Sequence, residues 1–187
     1  MERSGEELPA LLATNLVESF AQLVLIFQHR LYAFALRQAG SPQEAEDIVQ
    51  EAFLQAYVTL ENYPEQRIRA LKLSAWLYKI TLYVYYNRRR KVRLLEEPLD
   101  LSEESMLLEL EDNWQERPEV LFENAERSTE LEALLMTLPD SYRVAITCYY
   151  FADMSYQEIA ELLNQPPGTV KSNVYRGLRM LRLAMGV

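Results

Sequence analysis

SYQEIAELLNQPPGTVKSNVYRGLRMLR, residues 155–182, is the stretch that decides the fold. Its opening, Ser155-Tyr156-Gln157-Glu158, is a capping box: a hydroxyl to take one orphan amide and a carboxylate three residues on to bond back. Ile159, Ala160, Leu162 and Leu163 supply the apolar side of a short helix. Asn164 suits the left-handed position that ends it, and Pro166-Pro167-Gly168 forces a turn. The helix that follows carries Val170, Val174, Leu178 and Leu181 on one stripe, with Lys171, Arg176, Arg179 and Arg182 and no acid. Two short helices about a tight turn, the second amphipathic and basic, are what a helix-turn-helix requires.

At 100° per residue, Ser172, Tyr175, Arg176 and Arg179 face away from that stripe. In such a motif the early outward residues reach base edges and the later cations meet phosphate. The pattern points to Lys171, Ser172, Asn173 and Arg176 as readers, and to Tyr175, Arg179 and Arg182 as positioning contacts. A helical hairpin with a solvated basic face fits the same spacing.

Working outward, helical periodicity continues almost everywhere. Leu16, Phe20, Leu23, Val24, Phe27, Leu31 and Phe34 follow an Asn15 cap with Glu18, and Gly40 reads as the stop. Ser41-Pro42-Gln43-Glu44 starts a second helix to about Leu60, with Ala45, Ile48, Val49, Ala52, Phe53, Ala56 and Leu60 inward. Pro64 interrupts, a basic connector follows, and Ser74 caps a third long helix running into Arg88-Arg89-Arg90-Lys91. Past the weakly periodic stretch from about Leu94 to Ser128, Thr129 with Glu132 opens a helix through Leu138, and Pro139 starts another to about Phe151. The fold class is all-α: two small helical domains joined by an acidic linker, the C-terminal one containing the helix-turn-helix. The boundaries are a tail at 1–13, a first domain at 14–93, the linker at 94–128 and a second domain at 129–187.

The third helix has an inward stripe of Leu73, Trp76, Ile80 and Val84, which leaves Tyr78, Lys79, Leu82, Tyr85 and Tyr86 outward. Aromatics exposed among cations suit single-stranded DNA, since every base offers a face to stack on and cations follow its backbone. Tyrosines packed against neighbouring helices would give the same spacing. On the second helix Asp47, Gln50, Glu51, Leu54 and Val58 share an outer strip, the pattern of a docking face for a partner with a basic rim. A solvated acidic face with Leu54 covered by another helix is the alternative.

The 187 residues hold only 5 glycines against 8 prolines, which argues against a turn-rich β protein and against phosphate-cradling glycine loops. Net charge is −9, at face value a poor match for nucleic acid, but it is segregated. Residues 67–93 carry 9 basic and no acidic groups, whereas 94–132 carry 14 acids and 2 bases. Alternating blocks of this kind mark surfaces that meet different partners. One cysteine, Cys148, excludes an internal disulfide and reads as a buried small hydrophobe; one histidine, His29, leaves no zinc cluster. No metal or cofactor is implied, and no nucleophile and base are clustered as in an enzyme. No run approaches the roughly 18 apolar residues of a membrane span, and the acidic N-terminus is wrong for a secretory signal, so the expected location is the cytoplasm.

SPQEAEDIVQEAFLQAY (41–57), AWLYKI (75–80), LPDSYR (138–143), SYQEIAELL (155–163) and GTVKS (168–172) together resemble the bacterial sigma factors of RNA polymerase, specifically the compact extracytoplasmic-function group. The resemblance covers about 16–93 and 129–187. It implies that the first domain binds the polymerase clamp through Asp47, Gln50, Glu51 and Leu54. It further implies that residues 63–72 and the third helix, with Tyr78, Lys79, Tyr85, Tyr86, Arg88 and Arg89, take the melted minus-ten strand with a base held out of the stack. The helix-turn-helix, with Lys171, Ser172, Asn173, Tyr175, Arg176 and Arg179, would enter the major groove at the minus-thirty-five element, beside the polymerase flap. The linker acids would imitate RNA in the exit channel, and an anti-sigma factor is a further implied partner.

The chain departs from the family where Leu82-Tyr83 replaces a frequent Arg-Asn pair. It departs again at Asn164 and Gln165, where glycine and an apolar residue are usual, and at Asn173 in place of a common arginine. Two other functions share part of the pattern: a helix-turn-helix operator-binding regulator, and a sigma-like module that sequesters an anti-sigma factor. The first has no use for the acidic-aliphatic strip, and the second would not keep its DNA faces basic.

Overall fold

The computed structural model describes residues 4–96 and 129–186. Among them are nine helices and no strand: α1 (Ser4–Thr14), α2 (Leu16–Ala39), α3 (Pro42–Glu61), α4 (Glu65–Arg69), α5 (Leu73–Glu96), α6 (Thr129–Thr137), α7 (Asp140–Phe151), α8 (Tyr156–Leu163) and α9 (Pro167–Met185). The acidic linker lies outside the described residues from position 97 onward.

The first half forms as its sequence directs. The Asn15 side chain accepts the amide of Glu18 at 3.4 Å and donates to its carboxylate at 2.7 Å, which fixes the start of α2. That helix stops at Gly40, whose φ of +72° is left-handed and whose N–H reaches the Leu36 carbonyl at 2.8 Å. A Cβ at position 40 would lie 2.7 Å from Cε of Met136 on α6, the movable end of a flexible side chain, so it is the left-handed backbone that favours glycine here. Ser41 caps α3, Pro42 opens it, and the seven residues expected inward are all buried.

Three expectations change. The tail at 1–13 is largely α1, whose Leu8 and Leu12, one turn apart, are each 1% exposed against α4 and α2. The basic connector contains the short helix α4. And α5 starts at Leu73 rather than after Ser74: the amide of Trp76 bonds the Lys72 carbonyl at 3.0 Å, which makes Lys72 its N-cap.

The two halves are not held by the tether alone. One apolar cluster runs from α1 through α5 and continues into Val144, Cys148, Ala152, Met154, Ile159, Ala160 and Val170 of the second half. A smaller cluster of Leu131, Leu135, Leu138, Ala145, Ile146, Val174, Leu178 and Leu181 belongs to the second half by itself. α2 packs on both α6 and α7. Cys148 is fully enclosed there, and burial pushes its thiol up to about 12, the behaviour of a small hydrophobe.

This junction corrects the reading of α5. Tyr78, Leu82 and Tyr85 were expected outward; they are 1%, 3% and 2% exposed. α5 packs on both α2 and α3, and Arg143 of the second half reaches over to Tyr85, so α5 is buried on more than one side. Tyr78 meets Phe34 edge-on at 4.9 Å in the same cluster as Cys148.

Candidate nucleic-acid and partner interfaces

The helix-turn-helix forms as drawn from its sequence. The Ser155 hydroxyl accepts the Glu158 amide at 3.2 Å, while the Ser155 amide and hydroxyl donate to the Glu158 carboxylate at 3.0 and 2.8 Å. These bonds, joined by Lys72 of the first half at 3.2 Å, hold the Glu158 carboxyl below the usual carboxylate range. Asn164 is left-handed at φ 53°, ψ 46°, and Pro167 stands at the start of α9.

On α9 the stripe of Val170, Val174, Leu178 and Leu181 is buried as expected. The helix sits very close to α7: a Cβ at Gly177 would lie 2.5 Å from Cδ1 of Ile146 and 3.0 Å from Cβ of Tyr142. Tyr175 and Arg179 are exposed, and Lys171, Ser172, Arg176 and Arg182 are half-buried along the outer edge. Asn173 does not join them. It is 8% exposed, adjoining the buried stripe at Val174 and one turn before Gly177, so it is turned from the surface that a reader needs.

The strip on α3 stands clear. Asp47, Gln50, Leu54 and Val58 are exposed, the last two at 69% and 56%, and Glu51 is half-buried beside them. Arg88 of α5, expected on DNA, instead bridges this strip, donating to Asp47 at 2.8 Å and to Glu51 at 3.2 Å. Arg89 is likewise engaged within the chain: it donates to the Tyr85 hydroxyl at 2.8 Å and pairs closely with Asp140 of α7. Tyr85 and Tyr78, being enclosed, offer no face to a base in this arrangement. Lys79, Tyr83 and Tyr86 remain exposed on α5. At the connector, the Arg67 guanidinium lies 3.8 Å over the Tyr63 ring, which in turn lies 6.4 Å from Trp76.

The residues joining the halves were not singled out by spacing. Arg143 donates to the Tyr85 hydroxyl at 3.1 Å and to the Leu138 carbonyl at 3.3 Å, Arg30 lies 3.9 Å from Asp153, and Arg37 stacks over Phe151 at 3.9 Å. A cleft of about 570 Å³ follows this seam, lined among others by Gln38, Glu44, Tyr85, Arg89, Asp140 and Arg143. The seam's one sequence cue is that α5 is apolar nearly all round from Leu73 to Tyr86, which marks a helix covered on more than one face.

Among the described residues no helix is long and apolar enough to cross a membrane. Residues 23–94 match the family model of Sigma-70 region 2 and residues 128–181 that of Sigma-70 region 4. The chain is 34% identical over 169 residues to the ECF RNA polymerase sigma factor SigW of Bacillus subtilis, with 88% of each covered. It is 30% identical over 174 residues to the RNA polymerase sigma-H factor of Pseudomonas aeruginosa, covering 89% of this chain and 86% of that one. In fold it is similar to the sigma factor RpoE solved with the anti-sigma factor NepR from Bartonella quintana. That likeness has a TM-score of 0.68 at 23% identity, over 91% of this chain and 98% of the other. It is similar also to CnrH solved with the cytosolic domain of CnrY, with a TM-score of 0.66 at 20% identity over 97% of each chain. Two matched regions in the family's order, with relatives aligned over most of both lengths, place this chain among the ECF sigma factors of bacterial RNA polymerase.

Proposed function

We propose that this protein joins core RNA polymerase in the cytoplasm, brings it to promoters and holds the melted strand, acting by binding alone. The observation that carries this reading is one short chain with both a basic recognition helix and an acidic, apolar strip whose Leu54 and Val58 stand 69% and 56% exposed. A regulator that works alone on an operator has no use for the second surface.

In this reading Asp47, Gln50, Glu51 and Leu54 meet the clamp, and the second half meets the flap. Lys171, Ser172, Tyr175, Arg176 and Arg179 meet the minus-thirty-five element, with Asn173 supporting the helix from beneath. Residues 63–72 with Lys79, Tyr83 and Tyr86 receive the non-template strand, and an anti-sigma factor competes for the same protein. The promoter elements implied by the family lie some 25 base pairs apart, about 85 Å at roughly 34 Å per ten base pairs. A compact chain of 187 residues has a radius of gyration of only about 16 Å. The halves therefore part at the seam before both elements are held at once, which frees Tyr85 from Arg143 and Arg89 from Asp140.

Selection from a random duplex library tests the reading. Core polymerase carrying this chain should enrich a two-part sequence that neither the core nor the free chain enriches. Enrichment of one short palindrome by the free chain would favour the operator-binding regulator instead.

A further inference from the structure

We propose that α1 braces the strand-capturing connector, and that Leu8 and Leu12 are positioning residues for single-stranded DNA held at Tyr63 and Arg67. The proposal rests on the reading of residues 63–72 as the capture segment. α4, Glu65–Arg69, has five residues and begins at Pro64 without a side-chain cap bond. A helix that short makes too few hydrogen bonds to persist alone, so packing must hold it in place. Its single buried residue is Ile68, at 4% exposure.

What packs on α4 is α1. Leu8 and Leu12 are each 1% exposed and lie in the apolar cluster that contains Ile68. α1 is in turn tied to α2 through the single residue Asn15, whose side chain caps α2 and whose amide bonds the Leu11 carbonyl at 2.8 Å. The brace is thus anchored at its far end.

The consequence for DNA lies one residue from Ile68. Neighbouring side chains on a helix point about 100° apart, so holding Ile68 inward fixes the direction of Arg67. Arg67 lies 3.8 Å over Tyr63, and Tyr63 lies beside Trp76. This stack offers an aromatic face to a base and a cation to its phosphate. With α1 loosened, Ile68 loses its cover, α4 opens locally, and DNA must pay for ordering the connector when it binds.

The test uses the full chain bound to core polymerase and a fluorescent single-stranded oligonucleotide matching the non-template strand of a promoter selected as above. Leu8→Ala with Leu12→Ala should weaken oligonucleotide binding about tenfold and speed amide exchange at residues 66–71. Binding to core and to the upstream duplex should stay unchanged, and Leu8→Met with Leu12→Met should restore the affinity. Should the double alanine variant fail to fold, either single alanine variant reads the same effect at smaller amplitude. Tyr63→Ala with Arg67→Ala serves as the reference. If that variant binds weakly while the leucine variant binds like the parent, the brace is wrong and the capture reading stands. If it binds like the parent, the capture reading falls and the brace with it. Unchanged exchange at residues 66–71 in the leucine variants would also overturn the brace.

Discussion

Arg143 of α7 and Tyr85 of α5 are joined across the seam between the halves: the guanidinium donates to the phenol oxygen at 3.1 Å, and the two residues are 4% and 2% exposed. The same oxygen accepts from Arg89 at 2.8 Å. One hydroxyl from the first half therefore serves two cations, one from each half, at the edge of the shared core. Tyr85→Phe removes that acceptor and keeps the ring. Hydrogen bonds to charged groups contribute about 1.5–3 kcal/mol when buried, so the variant should be destabilised by about that much in urea denaturation. An unchanged midpoint would show that the seam is held elsewhere.

The approach of α9 to α7 is tight enough to be tested by one methyl group. Gly177→Ala places a Cβ against Cδ1 of Ile146 and Cβ of Tyr142 and should cost about 1–3 kcal/mol by overpacking. Ile146→Val removes the Cδ1 at a cost of about 0.5–1.5 kcal/mol alone. Combined, the two changes should cost less than their sum, because the valine makes room for the alanine. Additive denaturation free energies would contradict the packing described.

Arg88 gives opposite signs for two variants on the α3 strip. Its pairs with Asp47 and Glu51 are a third to half exposed, so Arg88→Ala should change stability by less than about 1 kcal/mol. It leaves both carboxylates unneutralised, and affinity for the clamp's basic rim should rise. Asp47→Ala with Glu51→Ala should lower that affinity without altering promoter choice. Titration of core polymerase with labelled protein at low salt reads both, and 0.5 M salt should shrink the difference.

Much of this was legible in the sequence. The inward faces of α3 and α9, the capping box at Ser155 and the left-handed Asn164 were all readable because each depends on neighbours close in the chain. Tyr78, Leu82 and Tyr85 were not, because what encloses them is distant in the chain: Phe34 of α2 meets Tyr78, and Arg143 of the second half bonds Tyr85. A single inward stripe on α5 was assumed where two faces are buried. Leu8 and Leu12, two leucines one turn apart in an acidic segment, do not announce a partner, and Ile68 lies more than 50 residues away. Asn173 belongs by position to the early turn of α9 from which readers come, although it adjoins Val174 and comes one turn before the close contact at Gly177.

Arg179 is exposed on α9, three residues past Arg176 on the outer edge. As a phosphate contact it should carry salt dependence rather than sequence choice. Arg179→Ala should weaken binding to the upstream duplex on all sequences alike and reduce the slope of log K against log salt by about one unit. Arg176→Ala should instead relax discrimination within the upstream element. Competition binding over a salt series separates the two.

The central claim is that this chain confers promoter specificity on polymerase, and run-off transcription tests it most directly. Core enzyme supplied with the purified chain should yield discrete transcripts from templates bearing the selected two-part sequence and none without the chain. Leu54→Asp should abolish them through loss of core binding. Absence of specific transcripts, together with no binding to core enzyme, would contradict the account.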